Sequence, residues 1–120
     1  MKQLILFSTL CLLFCSSCSD KKDLQQASGK IAAGGFEVYY EQSGEGHPVL
    51  LLHAGLQNHS MWDEQVDALS KKFRVITIDM PFHGNTTGLD TTTFAADVVK
   101  IILDSLQIER ASVAGLSMGA

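Results

Sequence analysis

No apolar run in these 120 residues reaches the roughly 18 to 20 positions that a membrane-crossing helix requires. There is no basic excess either. Nine Lys and Arg stand against thirteen Asp and Glu, a formal charge of -4, and no block of like charge exceeds a lysine pair. A nucleic-acid binder carries a basic face, so that partner class is set aside. Cysteine is missing from everything after Cys18, since Cys11, Cys15 and Cys18 all lie in the N-terminal segment. What remains, 46% hydrophobic and 18% charged residues, is the balance of a single globular domain.

The longest apolar stretch is at the N-terminus, where a targeting peptide accounts for it. Lys2 gives a positive start, Leu4 to Phe14 is interrupted only by Ser8 and Thr9, and Cys15-Ser16-Ser17-Cys18 follows. The segment resembles a bacterial lipoprotein signal, in which cleavage precedes a cysteine that follows small residues and the thiol then receives a diacylglycerol. The resemblance implies a signal peptide over 1–17 and lipidation at Cys18. The mature protein is then expected on a membrane of the bacterial cell envelope, facing periplasm or exterior. Two other readings stay open: a signal peptide without lipid, and a redox Cys-x-x-Cys, which lacks the strand such motifs follow. Cleavage before Cys18 removes Lys2, leaves eight basic against thirteen acidic residues, and leaves no second cysteine for a disulfide. Residues 18–29 are polar and aperiodic, which suits a flexible tether.

The folded part is expected over 30–120. Lys30 to Ala33 and Phe36 to Gln42 flank Gly34-Gly35 as a hairpin. Val49 to Leu52 is continuously apolar, the pattern of a strand buried on both faces of a parallel sheet. Met61 to Lys71 carries Met61, Trp62, Val66 and Leu69 near helical spacing, and Arg74 to Met80 is a β-branched strand. Thr92 is placed to cap a helix from Thr93 to about Leu106, with Phe94, Val98, Ile101 and Ile102 on one face. Ala111 to Leu116 completes the series. The alternation predicts an α/β domain, a mostly parallel sheet covered by helices on both faces.

Ligands of such sheets bind at the carboxyl ends of the strands. Three clusters fall there: His53-Ala54-Gly55, Asp79-Met80-Pro81-Phe82-His83-Gly84 and Gly115-Leu116-Ser117-Met118-Gly119. The last is a Gly-x-Ser-x-Gly string after an apolar strand. In that position it reads as a nucleophile elbow, whose tight turn lifts the serine hydroxyl above the sheet and tolerates only small residues two places to either side.

Together with Leu51-Leu52-His53-Ala54-Gly55, Met61-Trp62 and Asp79-x-Pro81-x-His83-Gly84, this string resembles the α/β-hydrolase superfamily, from about Lys30 to Ala120. The likeness is to its single-domain members with a helical cap: carboxylesterases, enol-lactonases, cofactor-free haloperoxidases and carbon-carbon bond hydrolases. It implies the α/β-hydrolase fold, with Ser117 as nucleophile and an oxyanion hole from the backbone amides of Gly55 and Met118. It also implies a small-molecule substrate and no cofactor or metal. Ala54 and Phe82 stand where most relatives have glycine. The family's chain order of Ser, acid, His makes His53 a brace of the oxyanion loop, and Asp79 a residue that orders a loop. A metal cluster of His53, His59 and His83 matches no standard ligand spacing. His47 reads as a loop residue and Asp97 as a helix-surface carboxylate.

The family places the triad acid and histidine downstream, so the 120 residues are expected to be the N-terminal part of a longer hydrolase. Alone they are expected to be inactive, because a serine without a base keeps its proton. The preferred function is acyl transfer on an ester, lactone or related carbonyl. Haloperoxidase-like or carbon-carbon hydrolase chemistry, and a non-catalytic receptor on the same scaffold, remain the alternatives. A serine in place of an aspartate argues against dehalogenases and epoxide hydrolases.

Overall fold

The computed structural model describes residues 26–120. The expectations for the signal peptide, for Cys18 and for most of the tether lie outside them. Strands β1 (Ala27–Ala33), β2 (Phe36–Ser43), β3 (Pro48–Leu52), β4 (Arg74–Ile78), β5 (Thr87–Gly88) and β6 (Ser112–Gly115) form one sheet, with helices α1 (Asp63–Leu69) and α2 (Ala95–Ser105) between them. The order across the sheet is β1-β2-β4-β3-β6, and β5 also pairs with β2. β3 is parallel to both β4 and β6, whereas β2 is antiparallel to β1, β4 and β5.

Strand alternation divides the core into two faces. Leu50, Leu52, Ile76 and Ile78 turn to the side where Val98 and Ile102 of α2 close over them, joined by Ala33, Phe36, Val38, Met80 and Ile108. Val75 and Thr77 turn the other way and share a cavity wall with Val66 of α1. Val98 and Ile102 of the expected apolar stripe seat α2, with Ile101 partly buried beside them, whereas Phe94 precedes the helix and is exposed.

Three elements begin two or more residues away from where the sequence reading places them. β1 begins at Ala27, so Ala27, Ser28 and Gly29 belong to a strand, paired with Gln42, Glu41 and Tyr40. Their weak strand propensity is overridden by the ladder offered by β2. The segment expected as a helix from Met61 divides into a 3-10 turn, His59–Trp62, and the α-helix Asp63–Leu69. The Asn58 side chain caps that turn by accepting from the Ser60 amide at 2.9 Å.

Thr92 does not cap α2, which starts at Ala95 after Phe94, a residue that makes no side-chain cap bond. The hydroxyls of Thr92 and Thr93 donate instead to Asp90, whose carboxylate also accepts from the amides of Thr92 and Gly35. That cluster ties the start of α2 to the β1–β2 hairpin. The bonds from Thr92 and Thr93 hold the Asp90 carboxyl well below the usual carboxylate range.

Candidate active site

β6 ends at Gly115, directly beside Leu52 of β3, so the residues that follow emerge at the carboxyl ends of the parallel strands. The Leu116 amide still donates to Leu52 O at 3.2 Å. The next residue, Ser117, has φ +53°, in the left-handed region that a side chain enters only under constraint. The constraint is visible on both sides. The amides of Gly119 and Ala120 turn back to Leu116 O and Ser117 O at 3.0 Å, forming a 3-10 turn over Ser117–Gly119.

A Cβ on Gly115 would fall 1.8 Å from Gly119 O, and one on Gly119 would fall 2.5 Å from Leu52 O. Neither position admits a side chain. Ser117 itself is exposed, and its hydroxyl has no hydrogen-bond partner among the described residues. This is a strained turn presenting a free hydroxyl at the carboxyl end of β6, the last strand of the described sheet.

Gly55 and Met118, the two expected oxyanion donors, are brought together. A Cβ on Gly55 would lie 3.9 Å from Met118 Sδ and 4.0 Å from Met118 Cβ. Among the described residues neither of their amides is spent on an acceptor. Ala54 keeps a negative φ, and the left-handed residue of this loop is Leu56, at φ +61° and almost wholly exposed.

His53 is fully buried. Its Nε2 accepts from the Met80 amide at 2.9 Å, which puts the proton on Nδ1, and Nδ1 donates to Ala54 O at 2.7 Å. Both ring nitrogens are thus engaged, and the ring links the loop after β3 to the loop after β4.

Asp79, also fully buried, organises the opposite side of the rim. Its Oδ1 accepts from the His59 amide at 2.7 Å and from His59 Nδ1 at 2.8 Å, and its Oδ2 accepts from the Asn85 amide at 2.7 Å. These bonds offset the cost of taking a carboxylate out of water. Gly84, at φ +51°, passes so close that a Cβ would lie 2.1 Å from Asp79 Oδ2. The His83-Gly84 pair therefore owes its glycine to the carboxylate. Thr86 closes the excursion by donating to Asp79 O at 2.6 Å while accepting from the Tyr39 amide at 2.9 Å.

One cluster went unread in the sequence. His59 Nε2 lies 3.4 Å from Glu41 Oε1, and the Tyr39 hydroxyl donates to that carboxylate at 2.6 Å. The bond to Glu41, then burial, raises the Tyr39 hydroxyl above its ordinary pKa. The three histidines make different hydrogen bonds: His83 Nδ1 bonds Pro81 O at 2.8 Å, His53 spans Met80 and Ala54, and His59 is held by Asp79 and Glu41, while the His53 and His83 rings pack at 5.0 Å between centroids. His47, as a loop residue, bonds Ser112 Oγ at 3.1 Å, and Asp97 is exposed on α2. Phe82, at φ +68°, is mostly exposed and packs edge-on against Phe36 at 5.1 Å between centroids.

A strained serine turn after β6, between two glycines and beside the loop that follows β3, has the backbone geometry of a nucleophile elbow on an α/β sheet. Comparisons with known proteins bear on the fold. Residues 47–120 match the alpha/beta hydrolase fold family, and the chain belongs to it. It is 38% identical over 87 residues to the AB hydrolase superfamily protein YisY of Bacillus subtilis, an overlap of 68% of this chain and 32% of that protein. It is 42% identical over 64 residues to 3-oxoadipate enol-lactonase 1 of Acinetobacter baylyi, covering 52% of this chain and 24% of that one. Epoxide hydrolase I of potato (Solanum tuberosum) superposes with a TM-score of 0.71 over 79% of this chain and 33% of its own, at 20% identity, a likeness of fold alone. The chain spans about a third or less of the length of these relatives.

Proposed function

We propose that the complete protein carrying this chain is a serine hydrolase that acts on an ester, lactone or related carbonyl through an acyl-enzyme. The observation that supports this most is the left-handed Ser117 between two glycines that cannot be replaced, at the end of β6. Holding a serine there costs about 1–3 kcal/mol, a strain expected where chemistry uses it.

In this reading the Ser117 hydroxyl attacks the substrate carbonyl and passes its proton to a histidine supplied from outside these 120 residues. The carbonyl oxygen becomes an oxyanion held by the Gly55 and Met118 N–H groups, each worth about 3–4 kcal/mol of barrier. The oxyanion collapses, the substrate C–O bond breaks, and the leaving alcohol takes the proton from the histidine. Water then attacks the acyl-serine and gives a proton to the histidine; the acyl–Oγ bond breaks, Ser117 takes that proton, and the carboxylic acid departs. His53 takes no proton in this scheme, because both of its nitrogens are occupied in positioning.

Ser117→Ala in the complete protein is expected to lower kcat on an ester and lactone panel by at least about 10^4-fold with the fold retained. Turnover within tenfold of wild type would overturn the serine reading.

The cell-envelope location is part of the same proposal. It rests on Cys15-Ser16-Ser17-Cys18 after an apolar stretch. Bacteria expressing the protein are expected to incorporate labelled fatty acid into it, and Cys18→Ser to abolish the label. Equal labelling of that variant would contradict the anchor.

A further inference from the structure

The Gly55 amide acts only if its direction is fixed, and Gly55 has no side chain with which to anchor it. Its orientation is set by the residue before it. A trans peptide plane points its C=O and N–H in opposite directions, so holding Ala54 O fixes where the Gly55 N–H aims. His53 Nδ1 and the Gln57 amide hold that oxygen, at 2.7 Å and 3.2 Å. The preceding plane is free to rock unless the Ala54 N–H is held as well. Its acceptor is a side chain: Met61 Sδ at 3.4 Å.

We propose that Met61 is a positioning residue for oxyanion stabilisation, its thioether holding the Ala54 amide so that the next peptide presents the Gly55 N–H to the reacting carbonyl. The inference rests on the serine-hydrolase reading above. With both planes anchored, the two soft dihedrals of Ala54 are fixed without recourse to a glycine at that position.

The anchor is itself fastened to the scaffold. Met61 sits on the 3-10 turn His59–Trp62, whose first residue is bonded through its amide and its ring to the buried Asp79. A rigid link therefore runs from Asp79 through His59 and Met61 to Ala54. Thioether sulfur is a weak acceptor but a polarizable one, adapted to a half-buried site against a backbone amide.

The test compares Met61→Leu, which puts a methyl group where the sulfur stands, with Met61→Asn, whose Oδ1 is as many bonds from Cα as Sδ. In the complete protein, Met61→Leu is expected to slow covalent labelling by a fluorophosphonate about three- to tenfold, the worth of one net hydrogen bond. The kcat for p-nitrophenyl acetate should fall by the same factor with KM within twofold. Met61→Asn should recover most of the loss, and hydrogen exchange at the Ala54 amide should quicken in the Leu variant alone. Labelling of Met61→Leu at the wild-type rate overturns the inference while leaving the serine reading intact, and so does equal slowing in Leu and Asn variants. Absence of labelling in the wild type overturns the serine reading and this inference with it.

Discussion

β4 and β6 flank β3 on its two sides and run parallel to it, but their surroundings differ. Val75 to Ile78 of β4 are all buried, between β2 and β3 and beneath both helical faces. Ser112 to Ala114 of β6 are exposed in the described residues, and Val113 is 52% accessible. An apolar groove of about 460 Å³ runs beside β6, lined among others by Val99, Val113, Met118 and Gly119. The β4 side is thus where these residues bury their surface and satisfy their polar groups. The β6 side is where the hydroxyl, the glycine turn and the free amides collect. Substitutions on the first side should act on stability, and those on the second on chemistry.

The largest effect is expected from Asp79→Ala. It leaves two amides and the His59 ring without their acceptor in a buried site, and the loss should reach at least about 4 kcal/mol in urea unfolding of the complete protein. A loss under about 1 kcal/mol would mean that the β4 rim is not the structural half. Gly84→Ala comes next. It demands a left-handed alanine whose Cβ meets Asp79 Oδ2, and should cost about 2–3 kcal/mol by the same measurement.

The Thr92 substitution should have the smallest effect and decides a detail. If Thr92 capped α2, Thr92→Ala would cost about 1–2 kcal/mol, whereas an exposed hydroxyl that only donates to Asp90 should cost about 0.5 kcal/mol or less. Asp90 itself carries a pH signature. Its carboxyl titrates lower in the folded chain than in the unfolded one, so its contribution is present at neutral pH and above the ordinary carboxylate range. The contribution fades as pH falls through the folded value. Asp90→Asn should therefore lower the urea midpoint at pH 7 and converge on wild type in the acid limb.

The same division governs what the sequence made legible. β3, β4 and α2 announce themselves because burial on a sheet face or a helix stripe imposes a period on the residues. The elbow is local too: its steric demands fall on Gly115 and Gly119, within two places of Ser117, so five residues carry it.

The contacts that organise the rim are of another kind. Asp79 meets His59 across twenty positions and Glu41 meets His59 across eighteen, and no pattern joins residues so far apart. Thr92 was misread because Asp90, two residues earlier, competes for its hydroxyl. β5 is two residues long and exists only because β2 offers it an edge. The positive φ of Gln107 after α2 is also hidden, since glycine usually marks that place.

The central claim is that the chemistry resides in one hydroxyl at the tip of β6. Incubating the complete protein with a fluorophosphonate and mapping the adduct by peptide mass spectrometry tests it most directly. One phosphonyl group is expected, on Ser117, with none on the Ser117→Ala variant. An adduct on a different residue, or an unmodified Ser117 in a preparation that turns over esters, would contradict the account.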